Sequence, residues 1–141
     1  MGRGLPNDAW SRPPLPGAAG HKCSHALLGH RASIASGDAV LVRTGKIREY
    51  GTDNDAHQRA QPGVGRAAAI WLYDQGMAIL GTDTTGTEPV PFADSTQTTH
   101  QAMLVERGVH LVENLNLDEL AADNVSEGMF VCLPLAFVPR S

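Results

Sequence analysis

"HQAMLVERGVHLVENLNLDEL", residues 100–120, decides how this chain folds. Its first part has helical spacing up to a glycine stop at Gly108, "VHLVE" (109–113) is a short apolar run of strand type, and "LDEL" opens a further helix. Two polar residues stand at the ends of these elements, His100 where the helix begins and Glu113 where the strand closes. A helix over 98–107 advances about 15 Å at roughly 1.5 Å per residue. The strand 109–113 returns about 16 Å at roughly 3.3 Å per residue. The two paths nearly cancel, so His100 and Glu113 are expected at one end of the layer. That end is the C-terminal edge of the strand, where open α/β sheets place ligands. An imidazole beside a carboxylate there is a candidate divalent-metal or acid–base pair. A helix-start histidine and a water-facing glutamate would satisfy the same spacing without any chemistry.

Upstream, "AVLVR" (39–43) is a β-rich run ended by the turn "TGK", and "MAILG" (77–81) is a second short apolar run. Between them "GTDNDAHQRAQPG" (51–63) is expected to be polar loop. "VGRAAAIWLYDQG" (64–76) is expected to be a helix burying Val64, Ala67, Ala68, Trp71 and Leu72, with Gly76 as its stop. Residues 82–96 form a long loop opened by Asp83, which follows "MAILG" at the same kind of strand edge as Glu113. A helix over 97–107 precedes the strand 109–113, and "MFVCLPLAF" (129–137) is expected to be a last strand interrupted by Pro134. Strand–helix–strand–helix–strand predicts an α/β fold with at least part of its sheet parallel.

The totals narrow the function. A chain of 141 residues suits one domain, and a net charge of −4 argues against a nucleic-acid partner. No apolar run is long enough for a membrane helix, and two cysteines, Cys23 and Cys132, fit a reducing cytoplasm. The ends of the chain differ. Residues 1–36 hold four of the nine prolines and three of the six histidines and carry +3, whereas the remainder carries −7. The first 36 residues therefore read as an irregular leader, and 37–141 as the folded domain.

Four stretches, "GDAVLVRTG" (37–45), "PGVGRAAAIWLYDQGMAILGTDT" (62–84), "THQAMLVERGVHLVENLNLDEL" (99–120) and "FVCLPLAF" (130–137), together resemble the cyclase family. This group of metal-dependent hydrolases includes kynurenine formamidases and isatin hydrolases. The resemblance implies a swivelling β/β/α cyclase-like domain. It also implies a zinc or manganese ion that activates water against a small amide, lactam or lactone, and a homo-oligomer. On it, His100 and Glu113 match the downstream metal-site histidine and carboxylate. Asp83 matches the acid of a "G-x-D" strand end, in a supporting or architectural role.

The family's upstream His-x-Gly-Thr-His-x-Asp motif is missing. "HKCSH" places His21 and His25 at its interval, but Leu27 stands where the aspartate belongs and Lys46 replaces the usual aromatic after "RTG". The chain thus looks like the C-terminal portion of a family member, incomplete at both ends. Two functions are open: a metal-dependent hydrolase whose other ligands are His21 and His25 or a partner's, or a catalytically inactive member serving as an oligomer subunit or binding module. Among the other polar residues, Arg43 and Thr44 either meet an anionic substrate or cap their turn. His110 is expected in the core and His57 in solvent. Cys132 is expected as a small core residue, and Asn116 as a helix cap paired with Glu119.

Overall fold

The computed structural model describes residues 33–92, 94–96 and 98–133. β1 (Ala39–Val42), β2 (Ile79–Thr82) and β3 (His110–Val112) form one parallel sheet in the order β1-β2-β3. The mixed helix-and-strand class and the parallel sheet agree with the alternation in the sequence. Val42 lies opposite Thr82, and Gly81 opposite Val112, so the three strands finish together at one edge. Parallel neighbours need long crossovers. The first contains α1 (Asn54–Arg59) and α2 (Arg66–Asp74), and the second a helical turn over residues 99–105. α3 (Asp118–Ala122) comes after the sheet.

The core lies between the sheet and its crossovers. Val42 and Leu80 from the strands meet Ala68, Ala69 and Leu72 of α2, with Ala102 and Met103 of the second crossover. Burying each leucine-sized side chain contributes roughly 1.5–3 kcal/mol. The alanines let the α2 backbone approach the strands closely. The buried stripe differs from the expected one: Ala69 is inside and Ala67 is exposed, because the helix begins at Arg66. Val64 is fully buried from the extended segment before it. α2 stops at Gly76, whose φ of 109° suits a residue without Cβ. There the Met77 N–H returns to the Leu72 carbonyl at 3.3 Å.

Three expectations are corrected. The segment 51–63 contains α1, which is polar along its length and so has no apolar stripe to betray it. Its signal was Asp53, whose side chain accepts the Ala56 N–H at 2.9 Å as an N-cap. The helix expected over 97–107 is shorter and wider. Across Gln101–Val105 it makes a π-type turn, with the Glu106 N–H reaching the Gln101 carbonyl at 3.1 Å. Residues 129–133 form no strand, and Met129, Val131 and Leu133 are exposed. Apolar character alone does not make a strand where no sheet edge receives it. The remainder of that expected strand, from Pro134 onward, lies outside the described residues. Among those described, no helix is long and apolar enough to cross a membrane.

Candidate functional site

Because the strands end in register, Arg43 and Thr44, Asp83, and Glu113 all emerge at the same edge of the sheet. The second crossover returns His100 to that edge. His100 Nε2 lies 3.3 Å from Glu113 Oε1. The other ring nitrogen, Nδ1, is in short contact with the carboxylate of Glu88. His100 therefore sits between two carboxylates. Its side chain is 38% exposed, so solvent reaches it, while Glu88 is only 5% exposed. A carboxylate that deep persists only where charge-assisted hydrogen bonds replace water.

Glu88 was missed in the sequence because it lies in the loop 82–96, which has no period to place its residues. The available signal was slight: a second acid, five residues after Asp83, in the threonine-rich "TDTTGTEP" directly after a strand's C-terminal end. In the structure the first part of this loop, 82–87, is fixed by hydrogen bonds on both sides. Asn114 N–H donates to the Thr84 carbonyl and Leu115 N–H to the Thr82 carbonyl, both at 3.0 Å. On the other side Val64 N–H donates to the Thr87 carbonyl at 2.8 Å, and Gly86 N–H to Gln61 Oε1 at 2.9 Å. Gly63 is required by this closeness, since a Cβ there would stand 2.4 Å from the Thr87 carbonyl oxygen. Glu113 is itself oriented by the loop, with Oε1 accepting from Thr87 N–H at 2.8 Å and Thr87 Oγ1–H at 3.0 Å.

The other candidates are engaged elsewhere. Asp83 is fully buried and accepts from Thr44 N–H (2.8 Å), Thr44 Oγ1–H (2.7 Å) and Gly45 N–H (2.6 Å), tying the end of β2 to the end of β1. Arg43 Nε donates to Asp118 Oδ1 at 2.8 Å, and Arg48 Nε to Asp118 Oδ2 at 2.7 Å. Hydrogen bonds from Arg48 and then Arg43 hold the Asp118 carboxyl below its ordinary pKa, and Asp118 raises that of Arg48. Likewise Arg66 and then Arg107 lower the pKa of Glu106, at the end of the turn that carries His100. Arg43, Thr44 and Asp83 thus fasten strand ends and α3, and none of their hydrogen bonds reaches His100 or Glu113.

Three further readings change. His57 is buried, with Nδ1 3.0 Å from the Lys46 carbonyl and Nε2 3.1 Å from Asn114 Oδ1. His110 is exposed, because on the edge strand it alternates away from Leu111, the residue that packs on the core. Cys132 is exposed, in the unpaired segment after α3. Asn116 does accept the Asp118 N–H, at 3.2 Å, although α3 takes Leu117 as its N-cap residue. His21 and His25 lie outside the described residues. Among the described residues, no three of His, Cys, Asp and Glu are grouped so as to hold a metal ion.

Compared with known families, residues 20–89 match the model of the putative cyclase family. The matched stretch is similar to that family. It takes in β1, α1, α2, β2 and the loop as far as Pro89, just under half of the chain, and it ends before His100 and Glu113. It also begins at residue 20, inside the stretch read as leader. No curated protein and no solved structure gives a match.

Proposed function

We propose that this cyclase-like segment and the residues C-terminal to it form a hydrolase of the arylformamidase type, in a swivelling β/β/α domain. Its substrate would be a small amide, lactam or lactone. The observation that carries this reading is the pairing of His100 with Glu113 at the C-terminal edge of a parallel sheet, the position where such sheets bind ligands. Where Nε2 holds a metal ion, Glu113 is the group able to take the proton of an attacking water; where it does not, His100 Nε2 can take that proton and return it to the leaving nitrogen or oxygen. Glu113 stabilises the positive charge the ring then gains.

A divalent zinc or manganese ion, when bound, would acidify water and polarise the scissile carbonyl. The donor chemistry fits in part. An imidazole nitrogen and a carboxylate are suitable ligands, and Nε2 and Glu113 Oε2 make no hydrogen bond to the described residues closer than the 3.3 Å contact itself. A complete ligand set would need His21 and His25, or side chains of a second copy in a homo-oligomer.

A second reading is favoured by one observation, the lack of a three-residue metal group among the described residues. On it the chain is a catalytically inactive member acting as an oligomer subunit or binding module. Two measurements separate the readings: retained metal after loading with zinc or manganese, and turnover of an N-formyl aromatic amine, a lactam and a lactone. The hydrolase reading expects stoichiometric metal and turnover of at least one substrate, both reduced by His100→Gln. Turnover indifferent to that substitution sinks this site, and neither metal nor turnover leaves the inactive reading.

A further inference from the structure

Thr87 and Glu88 are consecutive, and each holds one member of the candidate pair. Glu88 contacts His100 Nδ1, and Thr87 supplies two donors to Glu113 Oε1. Their placement is shared with that of His100 through a single residue. The Val64 N–H donates to the Thr87 carbonyl at 2.8 Å, and the Val64 carbonyl accepts the Thr99 hydroxyl at 2.6 Å. Glu88 and His100 thus each lie one residue beyond an anchor on fully buried Val64. Gly63 closes the arrangement by letting the Thr87–Glu88 backbone pack directly on the chain before α2.

We propose that Thr87–Glu88 is the positioning element of this site: Glu88 holds His100 as the Nδ1–H tautomer, and Thr87 turns Glu113 so that Oε2 is its free oxygen. This rests on His100 and Glu113 being the reactive pair. An ionised carboxylate only accepts hydrogen bonds, so the proton on the Glu88–His100 line resides on Nδ1. Which ring nitrogen is protonated is set by the hydrogen bond the other makes. That leaves Nε2 as the nitrogen able to accept a proton; the nearest acidic atom, Glu113 Oε1 at 3.3 Å, already accepts both Thr87 donors. Backing of this kind behind a reactive or metal-binding histidine fixes both its tautomer and its plane.

The test is the side-chain 15N spectrum of the full chain at mildly alkaline pH, with the His100 signals assigned by their loss in His100→Gln. The wild type should give a pyrrole-like Nδ1 and a pyridine-like Nε2. Glu88→Ala should shift the tautomer ratio towards Nε2–H by about tenfold or more, the worth of a hydrogen bond to a charged acceptor. Glu88→Gln should keep the Nδ1–H form, since its amide oxygen accepts the same proton. A wild-type ring protonated on Nε2 or on both nitrogens overturns the proposal, as does a ratio unmoved by Glu88→Ala. Should Glu88→Ala not fold, the wild type and Glu88→Gln decide alone: Nδ1–H in both upholds the proposal, and any other result overturns it. The readout needs neither metal nor substrate. An Nε2–H ring in an active protein removes the positioning role but leaves the hydrolase, and an Nδ1–H ring without turnover does the reverse.

Discussion

Two histidines flank the end of β3 and meet consecutive residues there, His100 at Glu113 and His57 at Asn114. His57 is sealed in the interior, and its ring faces a backbone carbonyl and a side-chain amide, both neutral. His100 is over a third exposed, and its ring faces carboxylates on both sides. The same side chain therefore serves two purposes. Buried among neutral oxygens, it crosslinks the turn after β1 to the end of β3. Half open between charges, it has the surroundings that the proposed proton exchange requires. Exposure and charged partners, rather than the residue type, mark the one suited to chemistry.

The comparison breaks most sharply on activity. His100→Gln should lower hydrolysis about 10²–10⁴-fold, the usual contribution of a general acid–base. Its amide still offers a donor to Glu88, so urea denaturation should show a stability change under about 1.5 kcal/mol. His57→Ala should do the opposite. The cavity and the oxygens left without a partner cost about 2–4 kcal/mol of stability, read as a lower urea midpoint. Equal stability losses in the two variants would erase the distinction.

Thr87→Val sharpens the comparison from the carboxylate side. It removes the hydroxyl bond to Glu113 but keeps the backbone one, so stability should fall by only about 1 kcal/mol. Turnover should fall more than that loss explains. The smallest effect lies away from both histidines. Arg48 and Arg43 depress the Asp118 pKa in the folded chain. Its contribution to stability is thus present above the unfolded value of about 3.9 and is lost as pH falls through the lower folded value. Asp118→Asn should flatten the acid limb of a stability–pH profile below about pH 4 and leave the profile near neutrality little changed. An unchanged acid limb would count against these ion pairs.

Much of the frame was legible because it rests on local pattern. Apolar runs bounded by glycine marked all three strands, and Gly76 and Gly108 marked where two helical segments stop. Helix and strand lengths sufficed to place His100 and Glu113 at one edge. The polar features were less legible. α1 has no apolar face, so His57 read as a loop residue in water. Glu88 sits in a segment without period, and nothing in "TGTEP" states that its backbone is pinned to Val64. The apolar "MFVCL" read as a strand, since sequence does not say whether a sheet edge is free to receive it.

The sequence by itself determined the alternation of strand and crossover, the turns that end them, and the similarity of residues 20–89 to the cyclase family. These come from short-range periodicity and backbone preference, which act within a few residues. Only the tertiary structure decided that Glu88 stands behind His100, that Asp83 and Arg43 fasten strand ends, and that His57 is interior. Those outcomes depend on which side chains are brought together across 12 to 75 residues of chain. Hydrogen-bond satisfaction in the folded interior selects them, and no local pattern encodes it.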